Sequence, residues 1–186
     1  KLWVVEMADY PRGIDGAGKP GGRVRWLEDR DGDGRYEKSV VFADGLPFPT
    51  GVMPWRDGVL IIAAPDLIFA ADQDGDGVAD QRRVLYTGFG EGNQQHRVNG
   101  LRWGLDNWIY LANGDSNGVI TSAKTGERLD ISGRDLRIRP DTGEMETQSG
   151  RTQYGRNRDD WGNWFGCNNS TPMWHFVLDD HYLKRN

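Results

Sequence analysis

Two short stretches of this chain place side-chain oxygens at alternate positions. Asp29, Asp31, Asp33 and Glu37 do so in the first, and Asp72, Asp74, Asp76 and Asp80 in the second. With Gly32, Gly34, Gly75 and Gly77 interleaved, the backbone can curl until these oxygens surround a hard cation such as Ca²⁺. The carbonyls of Arg35 and Val78 fall where such loops add a main-chain ligand. An EF-hand closes on a bidentate Glu at its last position. Val40 and Arg83 stand there here, and the ninth position of each stretch supplies the final acid instead. A competing reading has Asp and Gly simply making tight turns between strands. Clustered carboxylates repel one another without a cation, which favours bound Ca²⁺ in a structural role.

A different chemistry is suggested further along. His96 lies in the polar segment Gly92-Asn93-Gln94-Gln95-His96-Arg97-Val98-Asn99-Gly100-Leu101, and Asp115 follows 19 positions later in Asn113-Gly114-Asp115. A carboxylate beside an imidazole fixes its tautomer and raises its basicity, as a general base requires. On sequence alone, a histidine exposed on a loop is the rival reading. His175 alternates with Met173 and Val177, so it either faces a channel or packs within a sheet.

The elements that must position these groups read as short strands throughout. Leu2–Met7, Gly22–Leu27, Val40–Phe42, Gly58–Ala63, Leu67–Ala70, Arg83–Tyr86, Trp108–Ala112, Asp135–Arg139 and Trp174–Leu178 are apolar or alternating runs bounded by Gly, Pro or Asp. No amphipathic helix is evident. Gly51–Leu60 and Gly100–Ile109 match in spacing, each a strand, a tight Asp-Gly or Asp-Asn turn, and a strand. A weaker copy runs from Gly155 to Phe165, and Pro140–Glu144 predicts another hairpin. The acidic stretches are themselves offset by 43 residues. Repetition at that scale, with 26 Gly and 8 Trp in 186 residues, predicts an all-β fold. The specific expectation is a partial β-propeller, about three to four blades of a probable six-bladed ring, with residues 1–186 forming a single domain. An all-β sandwich with chance similarity between hairpins is the alternative.

Composition narrows the function. A net charge of −5 argues against nucleic acid as a partner. Cys167 is the only cysteine, so an internal disulfide is excluded. No apolar run approaches the ~20 residues that a membrane-spanning helix needs. The chain opens at Lys1, straight into an apolar run without Met, and is expected to be a fragment of a longer protein.

The spacing His96…Gly100-Leu101…Gly104…Asp106…Ile109-Tyr110…Gly114-Asp115 resembles the motif of quinoprotein glucose/sorbosone dehydrogenases, which are six-bladed propellers. Arg151-Thr152-Gln153-Tyr154-Gly155 is similar to the Arg-Asn-Pro-x-Gly segment of that family. The resemblance implies His96 as base, Asp115 as its orienting partner and Arg151 as the cation beside a quinone. Thr152 stands where the family has its cofactor-contacting Asn, and Asn168 and Asn169 lie roughly where it offers cofactor and Ca²⁺ contacts. Two departures stand out: one extra residue between His96 and Gly100, and Thr152-Gln153 in place of Asn-Pro.

Across the whole chain, Gly45–Gly51, Gly88–Leu101 and Asp159–Asn163 resemble the propeller domain of a bacterial membrane-bound dehydrogenase family. That likeness implies an extracytoplasmic protein, periplasmic or membrane-associated, with a c-type haem domain as a partner in the same parent chain. The implied activity is oxidation of a sugar or sugar-like alcohol with pyrroloquinoline quinone (PQQ) and Ca²⁺ as cofactors. The fragment by itself is expected to be inactive. The alternative is a non-catalytic, calcium-stabilised propeller that binds carbohydrate or protein. A metal-dependent lactonase would need Glu and Asn ligands converging on one ion, and no such set is evident.

Overall fold

The computed structural model describes residues 1–185. They form open antiparallel sheets, none closed on itself, so the fold is all-β as the turn-rich sequence predicts. The chain divides into two compact units, Lys1–Ala63 with Leu67–Val84, and Ala64–Asp66 with Leu85 onward.

In the first unit, β1 (Leu2–Glu6), β2 (Gly22–Glu28) and β3 (Lys38–Leu46) form one sheet in that order. Side chains alternate along β2 as a pleated strand requires. Val24 and Trp26 point into the core, while Arg25 reaches out to Glu6 at 2.7 Å. Next come β4 (Gly51–Trp55), β5 (Gly58–Ala63) and β6 (Asp66–Ala71). Their apolar runs do not alternate, because β5 and β6 are buried along nearly their whole length. Val24, Trp26, Phe42, Leu46, Val59 and Ile61 meet in one core. Each large side chain there stabilises the unit by about 1.5–3 kcal/mol.

The hairpin turn between β4 and β5 lies one residue earlier than the sequence suggests. Trp55 pairs directly with Gly58, so Arg56 and Asp57 make the turn and Gly58 opens the strand. Only glycine fits there: a Cβ would stand 2.2 Å from the Ala70 carbonyl oxygen.

Strand β7 (Gln81–Phe89) leads from the first unit into the second. There follow β8 (Asn99–Trp103), β9 (Ile109–Ala112), β10 (Gly118–Ser122), β11 (Arg128–Asp130), β12 (Asp135–Arg139) and β13 (Glu144–Gln148). The chain ends with β14 (Arg156–Arg158), β15 (Trp164–Gly166), β16 (Trp174–His175) and the single helical turn α1 (Asp180–Leu183). Strands β8, β9, β12 and β13 pair in that order, with the β10–β11 hairpin inserted after β9 and paired to the end of β7. Trp108, Ile109, Leu111, Leu136 and Ile138 fill the core around this sheet.

The final strand is shorter than expected. It ends at His175, and the last bond to its partner β15, whose first residue is Trp164, is from Phe176 N to Trp164 O at 2.9 Å. Val177 and Leu178 are exposed beyond it. One turn of helix is too short to show a period, so α1 was invisible in the pattern. Asp179 caps it, its carboxylate accepting from the His181 backbone N–H at 3.0 Å. Among the described residues no helix is long and apolar enough to cross a membrane.

Candidate functional site

His96, Asp115 and Arg151 meet in the second unit, each delivered by a loop with its own local logic. His96 sits in the connection from β7 to β8. Asn93 starts a turn there, its side chain accepting from Gln95 N at 2.9 Å and its carbonyl from His96 N at 2.9 Å. Asp115 follows β9, where Asn113 is fully buried and ties the turn at both ends. Its amide donates to the carbonyls of Ile131 and Arg134 at 2.8 and 2.9 Å, and its oxygen accepts from Ser116 N at 2.6 Å. Gly114 is required at the tip: at φ 79°, with the Arg97 carbonyl oxygen 2.0 Å from where a Cβ would lie, no side chain is accommodated. Asp115 itself adopts φ 57°, a left-handed conformation that Asp tolerates better than most residues.

The Thr152 carbonyl accepts from Gly114 N at 2.8 Å and Asp115 N at 3.2 Å, so the Arg151 segment grips the Asp115 turn directly. Beneath both lies Asp135, the first residue of β12 and wholly buried. It accepts from Asn113 N (2.8 Å), Thr152 N (3.0 Å), Thr152 Oγ1 (2.7 Å) and the Arg156 guanidinium (3.2 Å). Burial pushes the Asp135 carboxyl up from its usual range, and the Arg156 charge pulls it back. Arg156 is held down by its own burial, with Asp135 opposing. Its guanidinium also lies within 5.3 Å of the Tyr110, Trp164 and Phe176 ring centroids.

At the functional groups, Asp115 Oδ1 accepts from Arg151 Nε at 2.6 Å and Oδ2 lies 3.5 Å from His96 Nδ1. The second distance is longer than a typical formed hydrogen bond. The other imidazole nitrogen, Nε2, is 3.1 Å from the Gln153 amide nitrogen. Imidazole and carboxylate are partly exposed, and Arg151 is half exposed.

The remaining expected cofactor contacts are placed differently. Thr152 is fully buried, its hydroxyl donating to Asp135, so it braces the scaffold. The Asn168 side-chain oxygen closes its own turn by accepting from Ser170 N and Thr171 N. Asn169 receives the Tyr154 hydroxyl on its side-chain oxygen and donates its backbone N–H to Gln153 Oε1 at 3.2 Å. His175 stacks on Phe165, with ring centroids 4.8 Å apart. Asn113, Asp135, Gln153 and Arg156 were not singled out from the sequence as parts of this site. Asn113 had a local signal, an Asn before Gly-Asp at a strand end; the other three had none.

Both acidic stretches are loops of the first unit, the first joining β2 to β3 and the second joining β6 to β7. Their internal bonds match. Asp29 accepts from Gly32 N at 2.7 Å and Gly34 N at 2.9 Å, as Asp72 does from Gly75 N and Gly77 N at the same distances. Glu37 and Asp80 each close their loop on a backbone N–H, of Arg30 and Gln73. Carboxylate oxygens of Asp29, Asp31, Asp33 and Glu37 lie within 4.8 Å of one another, as do those of Asp72, Asp74 and Asp80. Asp76 stands outside the second cluster, its carboxylate accepting from Val78 N; Arg35 N makes the matching bond to Asp33. The loops differ in anchorage: Gly77 O accepts the buried Trp26 indole N–H at 2.9 Å, and Ala79 N donates to Phe42 O at 2.8 Å.

The chain belongs to the family described as a domain of unknown function, DUF7133, whose model matches residues 1–186. No curated protein matches it.

Proposed function

We propose that this DUF7133 chain is the base-bearing part of an extracytoplasmic, quinoprotein-like dehydrogenase that oxidises a sugar or sugar-like alcohol. The observation that carries the reading is one carboxylate, Asp115, held between an imidazole and a guanidinium. Such a carboxylate orients His96 and favours the imidazolium that forms when His96 takes a hydroxyl proton. Arg151 holds Asp115 in place and brings a fixed positive charge to the same spot, suited to an oxyanion developing nearby. The antiparallel β8–β9–β12–β13 sheet has the four-stranded form of a propeller blade. A six-bladed ring is the architecture this reading calls for.

The half-exposed guanidinium suits an anionic, carbonyl-bearing cofactor such as PQQ. When bound, that group supplies an electrophilic carbonyl able to accept hydride. In this chain Arg151 would hold its anionic edge, with His96 and Asp115 handling the proton. Thr152 is turned into the scaffold and is no part of that contact. The acidic loops take Ca²⁺ in a structural role, stiffening the connections between strands.

The test is titration of the full-length native protein with PQQ and Ca²⁺, followed by dye reduction with sugar substrates. Quinone uptake is expected, with turnover falling roughly 10²–10⁴-fold in His96→Ala while uptake persists. Absent uptake and absent dye reduction would leave a calcium-stabilised binding module; dye reduction unchanged in His96→Ala would remove His96 as the base. The acidic loops are common to both readings; what favours the binding module is Thr152-Gln153 in place of the Asn-Pro of the resembling family, with Thr152 turned into the scaffold.

A further inference from the structure

Gln153 is almost fully buried and pinned on three sides. Its backbone N–H donates to Cys167 O at 2.9 Å, and its carbonyl accepts the Asn99 amide at 2.7 Å. Its side-chain oxygen accepts from the Asn169 backbone N–H at 3.2 Å. A backbone N–H can only donate, so the oxygen of the Gln153 amide must lie on that side. The amide NH₂ is therefore left facing His96 Nε2 at 3.1 Å. An NH₂ group also can only donate. His96 Nε2 must then be the acceptor, and the imidazole proton must sit on Nδ1, towards Asp115.

We infer that Gln153 is a positioning residue: its amide, oriented by the Asn169 backbone, sets the His96 tautomer and holds the place of a hydroxyl that donates to Nε2. The inference rests on the reading of His96 as the base and names what prepares it. The donors point in one direction, from Asn169 N–H to Gln153 and from Gln153 to His96, which leaves the Nδ1 proton facing Asp115 at 3.5 Å, and Arg151 grips that carboxylate from the other side. The bare nitrogen is thereby the one a substrate hydroxyl would approach. Such a hydroxyl would replace the Gln153 amide with a donor of the same polarity.

The test needs neither substrate nor cofactor. Long-range ¹H–¹⁵N spectra of the ¹⁵N-labelled protein at alkaline pH separate the two tautomers, and with three histidines in the chain His96 is assigned from a His96→Gln sample. The expected result is a protonated Nδ1 and a bare Nε2; a proton on Nε2 overturns the inference whatever any variant does. Asp115→Gly, which suits the left-handed backbone there, removes the carboxylate and leaves Gln153 as the tautomer's determinant. The Nδ1–H form should persist, and reversion to Nε2–H would assign the control to Asp115 alone. In Gln153→Glu an acceptor faces Nε2, so that nitrogen should shift into the protonated range; an unchanged spectrum would also refute the role. If the tautomer is as inferred but dye reduction is absent, it is the dehydrogenase reading that fails.

Discussion

The acidic loops of the first unit and the His96 cluster of the second hold their carboxylates in opposite ways. Each loop closes on itself within a few residues: Asp29 and Asp72 are fixed by glycine N–H groups three and five positions ahead. The cluster draws His96, Asp115 and Arg151 from three connections and joins the latter two through Asp135, which comes from a fourth place in the chain. A local cage can be copied from one loop to another, as the matching bonds show. A long-range hub exists only once the sheets around it have formed, so its loss should be felt everywhere in the unit.

The largest expected effect tests that hub. Asp135→Asn leaves the Arg156 guanidinium buried without its counter-charge, a change that costs about 3–5 kcal/mol. Urea unfolding should show a midpoint lowered accordingly, and the Arg151 segment should loosen from the Asp115 turn. A loss no larger than that of an exposed substitution, within about 0.5 kcal/mol, would erase the distinction between hub and cage.

Calcium sharpens the comparison from the other side. If the loops are cages for the ion, adding Ca²⁺ at a hundred times its Kd should stabilise the folded chain by about 2.7 kcal/mol per independent site. Chelator should reverse the gain, while the tautomer of His96 should not change. A thermal midpoint indifferent to Ca²⁺ would reduce both loops to ordinary Asp-Gly turns.

What was legible in the sequence follows the same division. The loops, the hairpins and the strand Asp135–Arg139 were readable because their determinants lie within a few residues of one another. His96, Asp115 and Arg151 could be selected because two of them stand at turns with local signals and the third in a segment resembling a known one. Asp135 was read only as the first residue of a strand. Its role depends on partners 22, 17 and 21 positions away, which no local pattern reveals. Gln153 was visible only as a departure from Asn-Pro, since its function depends on Asn169 and His96 on either side of it. The β16 boundary was missed for a related reason: the apolarity of Val177 and Leu178 does not reveal that the last bond to β15 is made at Trp164.

A smaller effect separates the two loops. They share an internal lattice, but only the second is bonded to the core through Trp26 and Phe42. Asp72→Ala releases Gly77 N beside that buried anchor and should cost about 1–3 kcal/mol, against no more than about 1 kcal/mol for Asp29→Ala. Equal losses would mean the anchorage contributes nothing and the loops are interchangeable.

The smallest effect asks whether a local carboxylate cage behaves alike in the second unit, where among the described residues no metal-ligating acidic cluster includes it. Asp159 closes the turn before β15, accepting from the Asn163 side chain at 2.7 Å, Asn163 N at 2.8 Å and Trp161 N at 3.0 Å. These donors, the Asn163 side chain foremost, hold its carboxyl below the ordinary carboxylate range. A depressed folded value means the ionised form is the one the fold favours. Its contribution is therefore present above the unfolded pKa of about 3.9 and lost as pH falls through the lower folded value. Unfolding midpoints of the native chain and Asp159→Ala should differ by a constant amount between roughly pH 5 and 8 and converge below about pH 4. A difference that persists into acid would show that the turn is held by its backbone shape, and that the side-chain charge matters only where several carboxylates are gathered, as in the two loops of the first unit.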